Sequence, residues 1–348
     1  MTALLEGSIT FTMTALYLTE PGTVVCYQNE VLQVVKQKQI RTCRLAELDI
    51  VVVLPGVQLT SVAIAQLLDR GIETIFLRGD GGFRGRLQGQ FHTNPAVRLA
   101  QYRAVETPFG LSLARRMVAG KVRNQRTLLQ RRNRATQNRY SELTEAIDLI
   151  AASLLTLQQA SSDLNRDQLM GMEGSCARYY YQALRYWFPE QWNFTGRNRQ
   201  PPLDPINALL SWGYGVLLSR TFSACVQAGL DPYLGFFHAI APYRPNLVLD
   251  LMEEFRPIVV DQTVIHLIQT DILGLEDFQP SPTGEGIWLG EVAKKLFLGA
   301  LEQHLNQPLL YPPQNRNLKL SQILLEQCRW LSRCLQSQTP DYEPFTIK

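Results

Sequence analysis

The sequence predicts an α+β protein: a small β-rich domain over residues 13–95, then a larger all-α domain over residues 96–348, with residues 1–12 as an extension. Two observations predict this. Up to about residue 90, short runs rich in β-branched residues are separated by turn residues. Beyond about residue 94 the apolar residues recur at helical spacing. A separate feature is a basic block over residues 111–140, with nine Arg or Lys and no Asp or Glu.

In the first half, Leu16-Tyr17-Leu18, Thr23 to Tyr27 and Val31 to Val35 read as strands separated by Pro-Gly and Asn-Glu turns. Ile50 to Leu54 is too apolar for a strand with one wet face and ends at Pro55-Gly56. Leu59 to Leu68 reads as a short helix stopped by Gly71. Ile72 to Leu77 is a strand, and Gly79 to Gly82 turn the chain into Phe83–Leu87. The segment before Met13 is assigned no structure.

In the second half, Ala96 to Ala104 opens a helical pattern. The basic block continues it, with Met117, Val118, Val122, Leu128 and Leu129 on its apolar side. Further helices are expected at 140–160, 166–188, 205–228, 247–271, 288–304 and 319–337. Asp204-Pro205 has the form of an N-cap followed by proline at the first helical position. Asn193 to Pro202 reads as an exposed loop.

Composition bounds the function. A hydrophobic fraction of 45% and a charged fraction of 19% describe a soluble globular chain, and no run is long and apolar enough for a membrane span. No signal-peptide pattern opens the sequence, and six scattered cysteines without a CxxC pair suit buried thiols in a reducing cytoplasm. The net charge is only +3, so the chain outside the basic block is net acidic. Such a block, carrying Arg115, Arg116, Lys121, Arg123, Arg126, Arg131, Arg132 and Arg134, is the footprint of a polyanion partner such as nucleic acid. A solvated helix face is the plainer alternative.

One of only four histidines, His238, lies in the apolar stretch LGFFHA, shortly before Asp250, Glu253 and Glu254. On a helix those acids fall within about 100° of arc. Taken alone, they read as carboxylates facing water near a helix start, where the dipole favours them. With His238 the pattern suits a hard divalent cation, Mg2+ or Mn2+, held by one imidazole and oxygen ligands. Glu173, among the small residues of MGMEGSCA at a helix head, offers a further carboxylate. The three tyrosines that follow it, Tyr179 to Tyr181, read as packing residues. A metal held by Glu173, His238 and Glu253, with Asp250 close by, would polarise a phosphoryl oxygen and activate a hydroxyl. No P-loop and no GxSxG element points elsewhere. His92, His266 and His304 have no acidic companions in suitable contexts and read as structural.

The segments LYLTEPGT (16–23), AQYRA (100–104), GMEGSCARYY (171–180), RNRQPPLDPINALLSWGYG (197–215), GFFHA (235–239) and LDLMEEFRP (249–257) together resemble the CRISPR-associated spacer-acquisition integrase family, Cas-one. The resemblance runs in order from about Met13 to beyond Asp261. It implies a β-sandwich-like N-terminal domain on an α-helical catalytic domain, and a homodimer assembled on a small ferredoxin-like partner, Cas-two. It implies a Mg2+ or Mn2+ site formed by Glu173, His238 and an acid of the DLMEE helix, either Glu253 or Asp250. It also places Tyr214 near a DNA strand end. The implied reaction is transesterification, in which the 3′-hydroxyl of a short foreign duplex attacks the border of a CRISPR repeat; hydrolysis occurs at the same site. A branched-DNA nuclease of repair and a non-catalytic nucleic-acid-binding subunit are the competing readings.

Overall fold

The computed structural model describes residues 9–12, 15–89, 94–159, 164–198, 201–238, 241–281 and 284–347, with residues 9–12 described by their backbone alone. The amino-terminal region contains β1 (Ile9–Thr12), β2 (Ala15–Leu18), β3 (Val24–Gln28), β4 (Val31–Lys36), β5 (Gln39–Arg44), β6 (Ile50–Val53), β7 (Gln58–Leu59), α1 (Ser61–Asp69), β8 (Glu73–Leu77) and β9 (Phe83–Leu87). β1 corrects the expectation of an unstructured start, since it pairs antiparallel with β2. Residues 1–8, and His92 further on, lie outside the described residues.

Two sheets form the sandwich-like layer pair. One runs β1-β2-β6-β8-β9, with β2, β6 and β8 parallel; the other runs β5-β4-β3-β7. Strand period two explains the packing. Leu16, Leu18, Val51 and Val53 meet Val25, Leu32 and Val34 of the second sheet, along with Ala63 and Leu67 of α1. The alternate residues Ala15, Tyr17, Ile50, Val52, Ile75 and Leu77 point the other way, into the main core shared with the helices. A parallel trio buried on both faces needs an unbroken apolar strand, and Ile50–Val53 is one.

The helical domain consists of α2 (Pro95–Ala104), α3 (Pro108–Ala135), α4 (Ser141–Gln159), α5 (Arg166–Leu184), α6 (Pro205–Gln227), α7 (Asn246–Met252), α8 (Gln262–Gln269), α9 (Glu291–Leu305) and α10 (Leu320–Ser337). Asp204 caps α6, accepting from Asn207 N at 2.8 Å. Two hairpins interrupt the expected all-α run: β10 (Phe278–Pro280) with β11 (Ile287–Leu289), and β12 (Pro308–Tyr311) with β13 (Arg316–Lys319). Their strands are only three or four residues long, too short for a periodic signal. Trp288 and Leu289, read as the start of a helix, belong to strand β11, and α9 begins after Gly290.

The single helix expected over 247–271 is divided into three. After α7 comes a turn, then a π-helical stretch over Arg256–Asp261, then α8. Pro257 is the physical reason. It has no N–H to return to Glu253, and its ring crowds that carbonyl, so the α ladder cannot continue.

The amino-terminal region and the helices interlock at the turn before β9. Gly81, at φ +83°, lies against Trp212 of α6, and a Cβ on Gly215 would sit 2.0 Å from the Gly81 carbonyl oxygen. A buried polar contact joins them as well: Tyr17 of β2 donates to Glu302 of α9 at 2.5 Å, and Arg220 of α6 pairs with the same carboxylate.

Candidate active site

The site begins with a loop made rigid by side chains. Buried Gln101 of α2 donates to the carbonyls of Asp231 (2.9 Å) and Leu234 (2.7 Å) and accepts from Asp231 N at 2.8 Å. That fixes the approach to Gly235-Phe236-Phe237-His238. Asp250 of α7 then enters the loop. Its Oδ2 accepts from Phe236 N (2.6 Å) and Phe237 N (2.8 Å), and its Oδ1 from His238 N (3.0 Å). Gly235 permits this, because a Cβ there would lie 2.5 Å from Asp250 Oδ2. His238 Nδ1 stands 2.6 Å from Asp250 Oδ1. Backbone donors already crowd that carboxylate, so the ring donates from Nδ1 and presents the lone pair of Nε2, the arrangement that orients metal-binding histidines.

Carboxylates from two other elements meet at Lys121 of α3. Its ammonium pairs with Glu173 of α5 and lies 2.5 Å from Glu253 Oε2, just past α7. Arg256 Nη2 takes the other oxygen of Glu253 at 3.2 Å. Burial pushes the Glu253 carboxyl up, but Arg256 and Lys121 outweigh it and hold it down at about 2. Burial alone would lower the Lys121 ammonium, yet Glu253 and Glu173 raise it above its ordinary value.

Beyond Arg256 lies Tyr214 of α6. The Arg256 guanidinium sits 4.7 Å from its ring centroid and the Arg197 guanidinium 5.5 Å from it. Arg197 is anchored by Asn207 Oδ1 (2.7 Å) and Ser211 Oγ (2.9 Å), so part of the segment read as an exposed loop is pinned inward. A cleft of about 500 Å³ opens here, lined by Arg78, Arg197, Trp212, Tyr214, Arg256 and Trp288 among others.

The predicted residues therefore divide into several roles. Glu173, His238 and Glu253 come from three separate elements. Asp250 is 1% exposed and both its oxygens are engaged, Oδ2 by the loop backbone and Oδ1 by the backbone and ring of His238. The reading of the acids as water-facing fails, because Asp250, Glu253 and Glu254 are all buried. Glu254 points away from the site, accepting from Tyr342 Oη (2.8 Å) and Phe345 N (2.9 Å). Burial pushes its carboxyl up to about 8, against the hydrogen bonds of Tyr342, Gln327 and Phe345. Tyr214 is buried, and its hydroxyl donates to Asp261 Oδ1 at 2.5 Å.

The basic block is corrected most. α3 runs through the domain, and Lys121, read as a DNA contact, is 4% exposed inside the carboxylate cluster. Arg132 donates to the Tyr186 carbonyl and stacks on Trp187; Arg116 donates to the Tyr342 carbonyl. Arg115, Arg123 and Arg126 are half-buried, while Arg131 and Arg134 are exposed. Charge density measures a helix's composition and says nothing about which sides are covered. Sequence reasoning missed Arg197, Arg256 and Asp261. The signal for two of them was Pro257, which ends the α ladder directly after the acids.

Among the described residues, no three His, Cys, Asp or Glu side chains form a ready coordination shell. The donor chemistry nevertheless fits a hard divalent cation: two carboxylates on one cationic seat, and an imidazole whose free nitrogen is set by Asp250.

The family model described as "CRISPR associated protein Cas1" matches residues 16–303. The chain belongs to the Cas1 family. It is 35% identical over 300 residues to "CRISPR-associated endonuclease Cas1 3" of Thermus thermophilus, covering 86% of each chain. Its fold matches a casposase bound to integration product, with a TM-score of 0.82 at 23% identity over 97% of this chain and 96% of that one. It also matches a chain of a Cas6-RT-Cas1–Cas2 complex, with a TM-score of 0.81 at 24% identity; there all of this chain covers 37% of the other. Among the described residues, no helix of this Cas1-family chain is long and apolar enough to cross a membrane.

Proposed function

We propose that the chain is a metal-dependent DNA endonuclease and integrase of CRISPR adaptation, joining 3′-hydroxyl ends of short foreign DNA into a CRISPR repeat by transesterification. The observations that carry this reading are the locking of His238 by Asp250 and the meeting of Glu173 and Glu253 at Lys121, in a member of the Cas1 family. Glu173, His238 Nε2 and Glu253 would hold Mg2+ or Mn2+. When bound, the metal supplies polarisation of the phosphodiester and activation of the attacking hydroxyl.

The chain's own residues do the rest. Asp250 fixes the His238 tautomer, and Arg256 and Lys121 keep Glu253 ionised at neutral pH. The cleft beside the cluster receives the strand, with Arg78, Arg197 and Arg256 for phosphate charge and the partly exposed Trp288 for bases. Arg131 and Arg134 add backbone contacts to the duplex. The chain works as a homodimer and with a Cas2-type partner; the partner reading is supported by the Cas6-RT-Cas1–Cas2 complex, a chain of which shares this fold.

A strand-joining assay with a 3′-hydroxyl duplex and a repeat-bearing plasmid tests the reading. Joined product that requires the free hydroxyl and Mg2+ or Mn2+, and that disappears in Glu173→Gln, is expected. Cleavage without joining would point to the repair nuclease, and DNA binding with no chemistry to a non-catalytic subunit.

A further inference from the structure

Arg256 and Asp261 open and close the π-helical stretch, and both reach Tyr214. A π turn closes from residue i to i+5, so its first and last residues share a side of the helix. One of them lies over the tyrosine ring and the other binds its hydroxyl. The second oxygen of Asp261 accepts from Tyr180 Oη at 2.6 Å, and Tyr181 Oη lies 2.8 Å from Tyr214 Oη. Because Tyr214 gives its proton to Asp261, Tyr181 is the donor to Tyr214. Asp261 is thus buried with two tyrosines bound to it directly and Tyr181 joined to it through Tyr214.

Two of those tyrosines belong to α5, two turns beyond Glu173, and the third to α6. Arg256, across the ring of Tyr214, holds Glu253 at 3.2 Å. A continuous chain of contacts therefore runs from Glu253 through Arg256, Tyr214 and Asp261 to the helix that carries Glu173. A core needing only volume would be served by an apolar residue, whereas a buried carboxylate has to be matched by donors. Its geometric effect is to fix the rotation of the Tyr214 ring, and with it the plane on which the guanidinium rests.

We propose that Asp261 is a positioning residue for strand cleavage: through Tyr214 it keeps the Arg256 guanidinium between Glu253 and the cleft. This rests on the active-site reading above and adds a residue to it that touches neither DNA nor ligand.

The test is a mutant cycle in the full chain, combining Asp261→Asn with Arg256→Ala. Single-turnover cleavage of a branched DNA is measured alongside Mn2+ affinity by calorimetry. Asp261→Asn is expected to slow cleavage about tenfold, as misplaced catalytic groups do, while leaving Mn2+ affinity within about twofold. Added to Arg256→Ala, it should cost nothing further beyond about twofold, the signature of two residues acting as one unit. A parent-like rate for Asp261→Asn, or a loss that multiplies that of Arg256→Ala, overturns the proposal. If Asp261→Asn does not fold, Tyr214→Phe removes the same bond from the other end and is judged by the same two results. Glu173→Gln run in parallel separates the levels. Full activity there overturns the site itself and this proposal with it, whereas independent losses beside an inactive Glu173→Gln overturn this proposal alone.

Discussion

His238 Nδ1 lies 2.6 Å from Asp250 Oδ1, an oxygen that also accepts the backbone N–H of His238 itself. One carboxylate thus orients both the ring and the peptide that carries it. Asp250→Asn would set amide hydrogens against these donors. We expect it to weaken Mn2+ affinity about 10- to 100-fold, the usual cost of losing such a partner, with calorimetric titration as the measure. Unchanged affinity would remove His238 from the ligand set.

Gly215 lies on α6 where the turn of the amino-terminal region crosses it, and a Cβ would stand 2.0 Å from a backbone carbonyl oxygen. Gly215→Ala should therefore lower stability by about 1–3 kcal/mol, as overpacking does. Gly171 in α5 has nothing within 4 Å of its ideal Cβ. Gly171→Ala should be stabilising by about 0.5–1 kcal/mol from backbone entropy. Paired thermal melts compare the two, and equal effects would contradict the close approach.

Glu254 makes stability depend on pH with a definite sign. Its folded carboxyl titrates near 8, above the ordinary 4.5. Between those values the folded chain holds a proton that the unfolded chain has shed, so this group's contribution falls as pH rises through the window. Urea melts at about pH 5, 7 and 8.5 should show Glu254→Gln with a flatter profile than the parent. A parallel shift at every pH would refute the assignment.

The arginines of α3 separate by burial. Arg131 and Arg134 are exposed, and neutralising both should reduce the slope of log K against log salt by about two, at roughly 0.9 per phosphate contact. Arg132→Gln should instead lower the melting temperature, since its guanidinium holds the Tyr186 carbonyl and covers Trp187. Anisotropy titrations at several salt concentrations and a thermal melt decide. A salt slope untouched by the Arg131/Arg134 pair would take DNA off this face.

Local chemistry made much of the fold legible. β-Branched residues between turns marked Val31–Val35, an unbroken apolar run marked the doubly buried β6, and Asp204-Pro205 marked the start of α6. What stayed hidden depended on contacts distant in the chain. Spacing placed Asp250, Glu253 and Glu254 on neighbouring sides of one helix, but it could not show that three different environments receive them. Asp250 meets a loop about a dozen residues earlier, Glu253 meets Lys121 on α3, and Glu254 meets the chain near Phe345. Lys121 belonged by composition to a basic surface and belongs by position to the acid cluster. Arg256 and Asp261 look unrelated until Pro257 opens the helix enough to bring both to Tyr214.

The sheet face formed by Ala15, Tyr17, Ile50, Val52, Ile75 and Leu77 is floor to the helices on one side and half of a sandwich on the other. The first ninety or so residues are thus no detachable module. Expressed without the remainder, they would bare six apolar or aromatic side chains in one plane and strand the hydroxyl of Tyr17 from Glu302. Such a fragment would clump through that plane, so dissecting this protein calls for substitutions in the intact polypeptide in place of truncation.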